Sequence, residues 1–259
     1  MTVESHQTRD PESVADRPAQ FRYSVVFALT LALVVFLIAA PSTDSSRAVA
    51  LAVGGVALVF ALATARERKD VRYLNAVVVG IALLVVCVAV ATGTAPWTVT
   101  YAVGAVVTAA IPLVIFRGVV RLLRNQGVTV QAVAGALAIY LAVGLLFAWI
   151  IGFIAHVDST PYFAQHTSGT DGDRVYFSFT VLTTTGFGDF SAGTPAGHAL
   201  AVIEMLTGQL YLVTVIGLLI GNLGSSRKDK MRRARHETTP VPTTQHARGN
   251  KSLPNDEKS

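Results

Sequence analysis

Between Phe177 and Phe190 the chain reads FSFTVLTTTGFGDF. Three consecutive threonines, two glycines flanking one aromatic residue and a closing aspartate make an oxygen-rich run with little helix propensity. Glycine readily takes positive φ, so Gly186 and Gly188, alternating with Thr185 and Phe187, can turn successive carbonyls to one side of an extended strand. Such a row of carbonyls, with the Thr184 hydroxyl at its inner end, has the chemistry to replace the hydration shell of a monovalent cation. The preceding VYFSFTVL, Val175–Leu182, reads as a short helix. Its C-terminal end near Leu182 and Thr183 carries the negative end of the helix dipole, which favours a cation below it.

The elements around this run are apolar and long. Of 259 residues 52% are hydrophobic and 14% charged, and the mean hydropathy is +0.52, which excludes an ordinary soluble domain. A membrane-crossing helix needs about 20 mostly apolar residues. Six runs meet or approach that length: Tyr23–Ala40, Ala48–Ala65, Leu74–Ala91, Trp97–Phe116, Val130–Ala155 and His198–Leu223. Pro112 inside the fourth is expected to kink it. The first reads as a retained helix, because its leader mixes acids with bases and Pro41 falls where cleavage would occur. Cys87, the one cysteine, lies in an apolar run and reads as a small buried hydrophobe.

Basic residues set the orientation. All of the 21 Lys and Arg residues except Arg47 and Arg174 fall on one side, including Arg66, Arg68, Lys69 and Arg72 after the second run and Arg117, Arg121 and Arg124 after the fourth. Both termini are therefore expected in the cytoplasm, with the 177–190 run on the outer side. The cluster Arg227–Arg235 reads as an anchor to anionic membrane lipids rather than a nucleic-acid patch. Residues 1–22 and 225–259 are expected to be disordered.

VYFSFTVL is too short to cross a bilayer, so it is expected to enter and return by the non-helical TTGFGD. Such backbone is tolerated at membrane depth only where protein buries it or where it lines a water-filled path. The run TTTGFGD, within YFSFTVLTTTGFGDFSAG, resembles the signature of potassium channels, and most of all the pore loops of two-pore-domain potassium channels. The resemblance covers roughly Val130 to Gly224. It implies an ion-binding selectivity filter of Thr184, Thr185, Gly186, Phe187 and Gly188, with K+ held at Thr184, Thr185, Gly186 and Phe187. It implies filter support from Asp189, Tyr176, Phe177 and Thr183. Two positions depart from the usual pattern: Thr185 stands for valine or isoleucine, and Phe187 for tyrosine. One motif per chain implies a homotetramer.

On the last run the resemblance places a hinge candidate at Gly208 and gate candidates at Leu212, Ile216 and Ile220; helix packing is the other reading of each. Glu204 is the one acid inside an apolar run, expected to be partnered by water or by hydroxyls such as Ser178 or Thr180. The fourth run carries no charge, so Arg117, Arg121 and Arg124 read as an amphipathic surface linker rather than a voltage sensor.

The expected fold is therefore an all-α integral membrane protein of six transmembrane helices, with a re-entrant pore helix and filter loop between helices five and six. Residues 23–128 form a four-helix region with its basic linker and 129–224 a pore domain. The expected function is a passive, potassium-selective channel of the plasma membrane. The alternative is a weakly selective Na+/K+ channel, because of Thr185. K+ is the permeant ion and membrane lipids the surroundings; no other cofactor and no nucleic acid are expected. A coupled transporter would show internal repeats and paired broken helices, and the sequence has a single glycine-interrupted hairpin. His156, His166 and His198 lack a nucleophile or metal spacing, so an enzyme is not expected.

Overall fold

The computed structural model describes residues 22–64, 69–126 and 129–237, and these hold seven α-helices. They are α1 (Arg22–Ala39), α2 (Asp44–Thr64), α3 (Lys69–Ala91), α4 (Trp97–Gln126), α5 (Val130–Val157), α6 (Asp171–Leu182) and α7 (Pro195–Glu237). The chain divides into two units, Met1–Leu223 and Gly224–Ser259.

Among the described residues four helices are long and apolar enough to cross a membrane: Asp44–Leu62, Trp97–Val120, Val130–Val157 and Pro195–Val215. The apolar stretches Tyr23–Ala39 and Val79–Ala91 fall below that length among the described residues. The described residues of all six apolar runs are helical apart from Ala40, and α4 continues through Pro112.

Helix α5 is the centre of the first unit, packed on α1, α4 and α6. It is apolar all round, as a helix enclosed by protein must be, and much of its buried surface is Ala and Gly. Between helices in lipid, close approach and van der Waals contact replace the hydrophobic drive. The α4–α5 seam does this reciprocally. Trp149 of α5 lies over Gly104 of α4, and Tyr101 of α4 lies over Gly152 of α5. A Cβ on Gly104 would collide with the indole, and overpacking of that kind costs about 1–3 kcal/mol.

The sequence missed three boundaries. Helix α6 starts at Asp171, ahead of Val175, because a reciprocal cap nucleates it. Thr170 Oγ1 accepts from the Asp173 N–H at 3.1 Å and Asp173 Oδ2 from the Thr170 N–H at 2.7 Å. Helix α4 runs beyond its apolar part to Gln126, since a helix does not stop where hydrophobicity does. In the second unit the described residues are helical through Glu237, which corrects the expectation of disorder from Ser225. Lys, Arg and Met there are good helix formers. The rest of that tail, and the N-terminal segment through residue 21, lie outside the described residues.

Candidate functional site

Helix α6 delivers the threonine–glycine run. Thr183 closes it as C-cap, its N–H donating to Phe179 O at 3.1 Å. The backbone then alternates in hand. Thr184, Gly186 and Gly188 have φ of 57°, 51° and 84°, and Thr185 and Phe187 between them do not share the positive φ. Alternation of hand sets successive N–H groups on one side and carbonyls on the other. The N–H side meets the end of α6: Thr184 N–H donates to Val181 O at 2.9 Å, and the Thr185 and Gly186 N–H groups both reach Thr180 O, at 2.9 and 3.1 Å. A β-branched residue at positive φ is strained by about 1–2 kcal/mol, so Thr184 is held there by these bonds. Residues 183–189 are exposed in the single chain.

Side chains fix the two ends of this segment. At the inner end Thr183 Oγ1 donates to Phe179 O at 2.7 Å and lies 2.8 Å from Thr185 Oγ1. At the outer end Asp189 Oδ1 accepts from the Phe190 N–H at 3.0 Å. The Tyr176 phenol hydrogen-bonds Asp189. That bond, ahead of desolvation and the nearby carboxylate charge, raises the phenol above its ordinary pKa. The Tyr176 ring lies parallel to that of Phe187, with centroids 6.3 Å apart. Phe177 packs instead into an aromatic cluster with Tyr162 and Phe163 at 6.2 and 5.2 Å.

Behind the segment, α5 and α7 clasp the last turns of α6. Tyr140 of α5 donates to Leu182 O at 3.2 Å. Ser178 Oγ lies 2.7 Å from Gly144 O and 2.5 Å from Oε1 of Glu204. Glu204 is fully buried, and its partner is the serine that the sequence suggested; Thr180 donates instead to Phe177 O at 2.8 Å. Gly208 faces Leu182 O so closely that any Cβ would collide with that carbonyl, and α7 continues unbroken through it. Leu212 is exposed. The side chains of Ile216 and Ile220 lie outside the described residues.

Sequence reasoning missed the cluster at the start of α6. Asp171 accepts from Arg47 Nε at 2.8 Å, Arg174 Nη1 at 3.0 Å and the Tyr101 hydroxyl at 2.9 Å. Arg174, counted in the sequence only as an outer-loop charge, is buried and caps Ser168 O and Gly169 O. Three helices, α2, α4 and α6, thus meet on one carboxylate. Only the T-D-G-D cap at 170–173 left a local signal.

Residues 135–223 match the family model described as an ion channel. The match begins in α5 and takes in α6, the 183–189 segment and α7 as far as Leu223. Comparison with curated proteins gives no match. The matched domain and the four long apolar helices support a passive ion channel within a multi-pass membrane protein.

Proposed function

We propose that four copies of this chain form a potassium-selective channel, conducting dehydrated K+ through carbonyls of Thr184, Thr185, Gly186 and Phe187. The observation that carries this reading is the alternation of hand at Thr184, Gly186 and Gly188, with the intervening N–H groups of 184–186 tied to α6. Carbonyls released to the opposite, exposed side form a row of oxygens, and four such rows around an axis replace a hydration shell.

Assembly has its own support. The span Pro195–Val215 is 11% buried within one chain, and Val202, Ile203, Leu206, Leu210 and Val213 stand exposed on it. A contiguous apolar face of this kind calls for cover, and neighbouring copies supply part of it in a cyclic tetramer. In this reading α1 and α3 also cross the bilayer, giving six spans with α6 re-entrant between the fifth and sixth. Both termini lie in the cytoplasm of a cell whose plasma membrane holds the channel. Asp189 and Tyr176 brace the outer end of the filter, and Leu212, exposed on α7, lines the path below it.

The test is ion flux from proteoliposomes of purified protein, with potassium inside and sodium outside, repeated with Gly186→Ala. Potassium-selective flux that the variant loses supports the proposal. Equal sodium and potassium flux replaces it with a weakly selective channel, for which Thr185 is the first residue to examine.

A further inference from the structure

Ser178 stands between two oxygens and has one proton to give. Its Oγ lies 2.7 Å from the Gly144 carbonyl of α5 and 2.5 Å from Glu204 Oε1 of α7. Ser178 and Glu204 are both fully buried. A carbonyl only accepts, and an ionised carboxylate only accepts as well. With Glu204 ionised, one of these two contacts would be oxygen against oxygen with no hydrogen between. The charge would also rest on a carboxyl whose Oε2 is buried without a hydrogen-bond partner among the described residues.

Among the described residues no cation is paired with such a charge. Tyr140 on α5 and Tyr162 ahead of α6 are the titratable groups within electrostatic reach of the carboxyl. Neither is a cation; the Tyr140 hydroxyl is already given to Leu182 O, and the Tyr162 hydroxyl, itself buried without a partner among the described residues, makes no hydrogen bond to the carboxyl. Among the described residues the ion pairs join Arg47, Arg174, Asp44 and Asp171; Arg174, one turn before Ser178 on α6, gives its guanidinium to Asp171 and Tyr101 and not to this carboxyl. A buried charge without a partner is strongly unfavourable, and the group neutralises instead.

We infer that Glu204 is a neutral carboxylic acid that donates its proton to Ser178 Oγ, while Ser178 donates to Gly144 O, so that a two-bond relay fastens α7 to α6 and α6 to α5. Every proton in the relay then has one acceptor and every contact one hydrogen. Oε2 becomes the carbonyl oxygen of an acid, for which an unmet hydrogen bond costs far less than it would for a charged oxygen. Glu204 is in this sense a positioning residue. It acts on the 183–189 segment through Ser178, one helical turn before Leu182, and contacts no ion itself. Without that proton Ser178 would face two acceptors with one hydrogen, and one of its two bonds, to α5 or to α7, would be lost.

The test is the infrared spectrum of the full chain in lipid bilayers at neutral pH, wild type against Glu204→Gln and Ser178→Ala. It needs no ion flow, so its failure and the failure of the channel reading are separate results. The expected result is a protonated-carboxyl C=O band that Glu204→Gln removes and Ser178→Ala shifts, as the acid O–H loses its acceptor. Loss of carboxylate bands in Glu204→Gln, with no acid band lost, overturns the inference. An acid band that Ser178→Ala leaves in place overturns the relay. Should Glu204→Gln fail to fold, the Ser178→Ala difference spectrum decides alone: a shifted acid band supports the inference, and its absence sinks it.

Discussion

The hydroxyl oxygens of Thr183 and Thr185 lie 2.8 Å apart, and Thr183 Oγ1 also lies 2.7 Å from Phe179 O. Thr183 has one proton, and the carbonyl, which only accepts, takes it. Thr185 is therefore the donor of the pair. The Thr185 hydroxyl, which stands where the potassium-channel signature that the run resembles has valine or isoleucine, is taken up at the end of α6. Thr185→Val is accordingly expected to leave the K+/Na+ permeability ratio nearly unchanged. Thr183→Ala removes both the acceptor of Thr185 and the bond to Phe179, a loss of about 1 kcal/mol per bond, and is expected to lower the ratio several-fold. Bi-ionic reversal potentials measure both, and a larger effect from Thr185→Val would sink this account.

Gly208 was a hinge candidate, and the geometry gives it a packing role. Its Cα passes so near Leu182 O that a side chain would push α7 away from the end of α6. Backbone does not yield as a flexible side chain would, so Gly208→Ala is expected to destabilise the protein by about 1–3 kcal/mol. Thermal unfolding in detergent or bilayers would register this as a lowered midpoint. An unchanged midpoint with altered opening would return Gly208 to the hinge reading.

How far the sequence carried follows from the range of each signal. The apolar runs and the TTTGFGD alternation are local, so the helices and the positive φ at Gly186 and Gly188 were legible. Positive φ at Thr184 was not, because the bond from its N–H to Val181 O, with the neighbouring ties to Thr180 O, imposes it on a residue that disfavours it. Ser178 could be named as a partner of Glu204 because it is a hydroxyl on a short apolar helix. Gly144, which turns that pair into a relay, is one of several glycines in α5 and carries no mark. Phe177 and Tyr176 are adjacent, yet the helix turns them about 100° apart, toward different partners. The sequence could place both beside the 183–189 segment, and in the structure Tyr176 is the one that meets Phe187.

Asp171 gathers Arg47, Arg174 and Tyr101 at the outer end of α6. The Arg174 side chain is 5% exposed and that of Asp171 11%, so removing the carboxylate leaves Arg174 buried and uncompensated. Truncating one partner of a buried pair costs about 3–5 kcal/mol, and Asp171→Ala is expected to fall in that range. Asp44→Ala removes only an exposed partner of Arg47 and should cost under about 1 kcal/mol. Chemical denaturation of the two variants side by side tests the contrast. Similar losses would mean that the cluster is not what holds α6 to α2 and α4.

Tyr176 offers a pH test at the outer end of the segment. Its phenol is raised above the ordinary value of about 10, first by the hydrogen bond to Asp189, then by desolvation and by the carboxylate charge. The folded state therefore keeps this proton where the unfolded chain has lost it. The stabilising effect of the bond is fully present below the ordinary phenol pKa and is lost as pH rises through the folded one. Asp189→Asn is expected to bring the phenol back down, and Tyr176→Phe to remove one late-titrating group from the seven tyrosines of the chain. Ultraviolet titration of tyrosinate, taken as the difference between wild type and each variant, follows both. If Asp189→Asn leaves the Tyr176 titration where it was, the carboxylate is not what holds the phenol, and the outer brace of the segment must come from the stacking on Phe187 instead.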